Sequence, residues 1–347
     1  MDRRFAGMLA GAVISVCLAL SVFADGSPAV DRSDDTDSWV GKQVMVIHWN
    51  ADFKVGSKVV GRTHLGDLWM VSRVNGDWLW IKQVHGWIDR SDVVVRDRAI
   101  EHFTAAIRRN PTAEAYHQRA LARVAVGQYR RAVADFESAI RSNPRKVAVY
   151  NDRGNVFQKL GLTDRAIADF NNVIAGGVRH PGVYTNRGLA WYHKRDYERA
   201  LADFNAAIAL DARFAPAWEA GGTVRAAQGN YAKAIDNFKQ AIKSNPKFVR
   251  AHNNLAWIFA TCPDEQFRDA KQAIKHAMVA CEQTQFRDFG YLDTLAATYA
   301  EAGQFDKAVE RATQAMGLAP NAAKSAIAMR RKLYMAGKPY HERAGKK

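Results

Sequence analysis

The sequence predicts a mostly α-helical chain: a superhelical solenoid of stacked helix pairs carrying a small all-β domain at its N-terminal side. Three observations predict it. From Ala113 onward a helix-pair pattern returns every 34 residues. Before it, residues 39–96 alternate apolar and polar side chains with period two and contain Asn75-Gly76, the strongest short hairpin signal. The net charge of +15 is also lopsided, since residues 98–347 hold 39 Lys/Arg against 23 Asp/Glu while residues 25–97 are slightly acidic.

Taken in order, Arg3-Arg4 followed by the apolar run Phe5–Phe23 and Val22-Phe23-Ala24 reads as a secretory signal peptide over 1–24, with an uncleaved membrane anchor as the alternative. Residues 25–37 are acidic and polar and are expected to be a disordered linker. Over 38–96, Gln43–Trp49, Leu68–Val74, Trp78–Lys82, Gly86–Ile88 and Val93–Val95 give about five short strands. Gly76-Asp77-Trp78, Gly86-Trp87-Ile88 and the turn Asp89–Asp92 resemble the ending of bacterial Src-homology-3-like domains, which implies a small β-barrel. Along β alternation Leu79 and Ile81 point inward, which leaves Trp78 and Trp80 outward. They form either a barrel platform for peptide or glycan or a docking face against residues 98–111.

The helical part spans 97–320. A half repeat (97–112) carries Ala99, Phe103 and Ala106 without a preceding first helix. The barrel is therefore expected to cover the open end of the stack. Full repeats follow at 113–146, 147–180, 181–214, 215–248, 249–288 and 289–320. In the first four, an aromatic and a small residue mark the first helix (Tyr116/Ala120, Tyr150/Gly154, Tyr184/Gly188, Trp218/Gly222). Ala and Phe mark the second (Ala132/Phe136 through Ala234/Phe238). This pattern resembles the tetratricopeptide repeat. Residues 321–347 read as a capping helix and basic tail, with Arg330, Arg331 and Lys332 on its outer side. The whole order of pieces, ending in Gly337-Lys338-Pro339-Tyr340, resembles exported repeat proteins of planctomycete-type bacteria. That resemblance implies a periplasmic or envelope location and little about chemistry.

Arg119, Arg153 and Arg187 hold one first-helix position, and Asp135, Asp169 and Asp203 hold one second-helix position. Both change together in repeat four, to Gly221 and Asn237. Their joint appearance predicts three structural ion pairs within repeats. Cys262 and Cys281 end antiparallel helices and are expected about 18–20 Å apart, too far for a disulfide.

No His-Glu-x-x-His, phosphate loop or nucleophile elbow is present, so no catalytic residue, metal or cofactor is expected. Binding remains. First-helix residues of a helix-pair solenoid face its inner wall. On this basis Asn151 and Asn155, then Asn186, Leu189 and Tyr192, then Asn253, Asn254 and Trp257 are the candidate groove for a protein or peptide partner. The alternative is a peptidoglycan or anionic-polymer binder using the barrel and the basic helices. Nucleic acid fits an exported chain poorly, and no membrane span is expected after signal cleavage.

Overall fold

A computed structural model of the chain describes residues 39–48, 51–64 and 66–342. The expected signal peptide, the linker and residues 343–347 lie outside them. Among the described residues no helix is long and apolar enough to cross a membrane. The chain divides into two units near residue 179.

The N-terminal unit opens with seven antiparallel strands: β1 (Gln43–Val46), β2 (Asp52–Val55), β3 (Lys58–Arg62), β4 (Leu68–Asn75), β5 (Trp78–Ile81), β6 (Gly86–Asp89) and β7 (Val93–Val95). Their order across the sheet is β3-β2-β6-β5-β4-β1-β7. Phe53 from one side and Val44 and Val93 from the other share a core with Leu79, Ile81 and Ile88, so the sheet curls over its apolar face. The hairpin β2–β3 escapes the sequence reading. Val55, Val59 and Val60 of this edge are exposed, and no inward–outward alternation marks them.

Five helices complete this unit: α1 (Ala99–Arg109), α2 (Ala113–Ala125), α3 (Tyr129–Ser142), α4 (Val147–Lys159) and α5 (Thr163–Ala175). The sheet packs on them through Met45, Ile47, Leu68 and Val94, which meet Ala99, Phe103, Leu121 and Ala122. Gln118 Nε2 donates to the Ile47 carbonyl at 2.8 Å, and Arg96 bridges Gln43 Oε1 and the Ala125 carbonyl at 2.9 Å each. Trp78 and Trp80 are not among the side chains of this apolar contact.

The C-terminal unit stacks helices in pairs: α6 (Pro181–His193) with α7 (Tyr197–Leu210), α8 (Ala215–Ala227) with α9 (Tyr231–Ser244), α10 (Val249–Thr261) with α11 (Ala270–Gln283), and α12 (Phe289–Glu301) with α13 (Phe305–Leu318). A final helix, α14 (Asn321–Met335), covers the last pair. Side-chain caps fix several of these helix starts. Asp196, Asn230 and Asp269 accept from the backbone N–H three residues on, and Asp288 accepts from those of Gly290 and Tyr291.

The pairing within a repeat rests on a small residue against a phenylalanine. A Cβ at Gly188 would stand 2.6 Å from Phe204, and one at Gly222 would stand 2.7 Å from Phe238. Both phenylalanines are fully buried, and each contributes about 1.5–3 kcal/mol by leaving water. Cys262 and Cys281 are buried free thiols, pushed by burial up to about 11 and about 12.

The three arginine–aspartate pairs sit between the two helices of their repeats. Arg119, Arg153 and Arg187 each donate two hydrogen bonds to Asp135, Asp169 and Asp203, at 2.6–3.0 Å. In repeat four Gly221 faces Asn237. The side chain of Arg225, one turn further on, reaches toward the vacated space, 3.8 Å from where a Cβ on Gly221 would stand. Burial there holds its guanidinium below the usual arginine range.

Candidate functional site

The inner wall is built from first helices, because Cβ vectors one turn apart stack on one face and the opposite face carries the small residues that meet the second helix. All eight candidate groove residues lie on first helices, and all are at most 7% exposed, so their side chains are spent on packing within the fold. The reason differs along the chain.

In the N-terminal unit, buried His117 of α2 meets Asp152 of α4, Nε2 to Oδ2 at 2.7 Å. Asn151 donates to the other Asp152 oxygen at 3.2 Å. This ties one first helix to the next. Asn155 lies one turn beyond Asn151, also buried.

In the C-terminal unit, Leu189 and Tyr192 pack with Phe204, Ala220 and Val224, so they join α6 to α8 as core residues. Burial, with Tyr197 alongside, holds the Tyr192 phenol well above its ordinary range. Next comes a polar cluster. Glu219, fully buried on α8, accepts from Asn254 Nδ2 at 2.8 Å and from Thr223 at 3.3 Å, and it forms an ion pair with Arg250. Asn254 therefore positions a carboxylate between helices. Asn186 and Asn253 are equally buried beside their neighbours on α6 and α10.

The last part of the wall holds what the sequence reading missed. Arg330 of α14, expected on the outside, is 1% exposed, and it donates to both oxygens of fully buried Asp293 at 2.7 and 3.1 Å. A guanidinium this deep persists only with a partner of matching geometry, which Asp293 supplies. Beyond α14, Gly337 adopts a left-handed φ of 67°, and the Lys338 amide donates back to the Leu333 carbonyl. This end motif turns the chain away from the helix axis.

Residues 338–342 then run over the C-terminal ends of α10 and α12. The Glu342 amide donates to the Thr261 carbonyl at 2.8 Å, and its carboxylate accepts from Trp257 Nε1 at 2.7 Å. Tyr340 lies 6.1 Å from the Trp257 ring, and the Arg330 guanidinium stands 5.8 Å from Trp257 and 5.5 Å from Tyr340. His341 Nε2 meets Glu301 at 2.6 Å, and Arg268 holds the other Glu301 oxygen at 3.1 Å. Trp257, expected to await a partner, is covered by the chain itself. The signal for this lay in Gly337-Lys338-Pro339-Tyr340, a helix stop followed by a stiff aromatic segment. The place where that segment lands is set by tertiary packing.

On the β domain, Trp80 and Trp87 are cross-strand partners with ring centroids 5.2 Å apart, and Lys54 Nζ lies 5.6 Å from the Trp78 ring. All three tryptophans are partly exposed on the face turned away from the core. Among the described residues no group of three His, Cys, Asp or Glu is placed to hold a metal ion.

Family models for the tetratricopeptide repeat match residues 117–182, 151–213 and 222–261. No curated protein matches the chain. Among solved structures, the APC/C hetero-tetramer Cut9–Hcn1 aligns at 16% identity over 68% of this chain and 46% of that one, with a TM-score of 0.57. PilW, a type IV pilus biogenesis factor, aligns at 19% identity over 62% of this chain and 98% of its own, with a TM-score of 0.53. A tetratricopeptide repeat protein from Parabacteroides merdae aligns at 17% identity over 69% and 92%, with a TM-score of 0.50. At these identities the likeness is one of fold. Residues 117–213 and 222–261 of this chain are tetratricopeptide repeats.

Proposed function

We propose that this protein is a non-catalytic scaffold of the cell envelope that holds a peptide or protein partner against the inner wall of its repeats. Tetratricopeptide repeats are protein–protein interaction scaffolds, and some bind peptides. The observation that carries the reading is residues 338–342, an extended segment bound to that wall by a main-chain hydrogen bond, an indole donor and an aromatic contact. These are the means by which a groove holds a peptide. Export rests on the apolar N-terminal run. The experiment is photo-crosslinking in envelope extract, with the reactive residue at Lys159 or Ala227 on first helices and at Lys239 on a second helix. Adducts confined to the first-helix positions support the reading, and adducts at Lys239 alone overturn it.

A second reading concerns the β domain. The outward row of Trp78, Trp80 and Trp87 beside Lys54 favours an anionic wall polymer, with the basic helices assisting. Co-sedimentation of the full chain with purified peptidoglycan should fall when Trp80→Ala is introduced and when salt is raised. Unchanged sedimentation removes this reading.

A further inference from the structure

The segment after α14 is held by specific side-chain and main-chain contacts. Its grip has three parts, all on first-helix residues: the Trp257 ring and Nε1, the Thr261 carbonyl, and the Glu301 carboxylate oriented by Arg268. Together they meet four features of the segment. The ring meets Tyr340, Nε1 meets the Glu342 carboxylate, the carbonyl meets a backbone N–H, and Glu301 meets His341. The buried Asp293–Arg330 pair fixes the floor, since the Arg330 guanidinium lies against both aromatic rings. The helix itself is closed by the first residue of this segment, through the hydrogen bond from the Lys338 amide to the Leu333 carbonyl. Its own hydrogen bonding thus does not depend on residues 339–342.

We infer that residues 338–342 are a built-in competitor, and that the pocket over Trp257 takes a partner's extended segment in which an aromatic residue is followed, two positions on, by a carboxylate. This inference rests on the groove reading above and adds the chemistry of the partner. An aromatic ring is needed to cover the indole, which is otherwise apolar surface in water. A carboxylate is needed because the indole N–H is donor-only and a buried donor without an acceptor is costly. Linking the competitor to the chain gives it a high local concentration, so a free segment of equal intrinsic affinity binds weakly until the competitor is released.

The experiment uses the full chain and a fluorescent peptide of residues 336–347, followed by anisotropy. In the double variant Tyr340→Ala/Glu342→Gln the competitor loses its ring and its carboxylate. This variant should bind the peptide at least tenfold more tightly than the wild-type chain. Peptides carrying Tyr340→Ala or Glu342→Gln should each bind the double variant at least fivefold more weakly. Hydrogen exchange at Trp257 Nε1, faster in the double variant with helix amides unchanged, separates release of the segment from unfolding. Equal peptide binding by both chains, or no binding by either, overturns the inference. A partner crosslinked at Lys159 or Ala227 to equal extents in the wild-type and double-variant chains overturns it too, while leaving the scaffold reading in place.

Discussion

The N-terminal and C-terminal units are closed by different chemistry. At the N-terminal end a curled sheet covers α1 and α2 with apolar side chains, Met45, Ile47, Leu68 and Val94, and adds two polar ties at the edge. At the C-terminal end α14 is fastened by a charge pair with almost no exposure, Asp293–Arg330, and by a segment that returns over Trp257. An apolar closure is forgiving, because one hydrophobe replaces another at modest cost. A buried ion pair is not, because losing one partner strands the other charge in the interior. The difference also bears on function. The N-terminal closure needs no further occupant, whereas the C-terminal one uses the same inner wall that a partner would need.

This contrast can be broken at several points. The largest effect is expected from Asp293→Asn, which removes the carboxylate that accepts both hydrogen bonds of the buried Arg330 guanidinium and should destabilise the C-terminal unit by about 3–5 kcal/mol in chemical denaturation. Replacing both residues together, Asp293→Leu with Arg330→Met, should recover most of that loss. A double variant as unstable as the single one would show that the pair does more than neutralise itself.

At the other end, Met45→Ala should cost about 3 kcal/mol through lost burial and a residual cavity. Hydrogen exchange should show that loss in α1 and α2, since each element of a repeat array is stabilised mainly by its neighbours.

A smaller and reversible effect concerns pH. His252 and His276 face each other, Nδ1 to Nδ1 at 2.9 Å, with the Pro246 carbonyl on the first ring. Burial, the neighbouring His252, and Lys275 and Lys239 lower His276 from the ordinary 6.5 to about 4. The ring is therefore neutral when folded and takes up a proton when unfolded. Its contribution is complete above about pH 6.5 and is lost as pH falls toward 4. Thermal stability measured across that window should decline, and His276→Phe should flatten the decline.

The smallest effect lies at the turn of repeat three. There Arg195 holds a left-handed φ of 62° where repeats one, two and four have Gly127, Gly161 and Gly229. Arg195→Gly should raise stability by about 1 kcal/mol, since only glycine adopts that conformation without steric cost. An unchanged melting temperature would show that Arg195 is held there by a compensating contact.

The helix pairs, their small-against-phenylalanine packing and the arginine–aspartate pairing were legible in sequence because each is local. Residues 16 apart are brought together by one turn, and repetition at 34 residues exposes the rule. The β2–β3 hairpin was not legible, because an exposed edge carries no burial pattern. Arg330 was misread for the same reason in reverse. A charged side chain on a last helix looks solvated until a carboxylate 37 residues away is seen to lie beneath it.

The sequence by itself therefore determined the repeat, its period, and the residues that must be small, aromatic or charged within it. Only the tertiary structure decided which first-helix residues are spent on contacts between neighbouring repeats. Wall positions of neighbouring repeats meet one another, as His117 meets Asp152 and Glu219 meets Asn254. The choice between a contact to the next helix and a contact to a ligand depends on distances that no single repeat encodes. The covering of Trp257 was decided in the same way, by a left-handed turn at Gly337 that aims a short extended segment back across helices already in place.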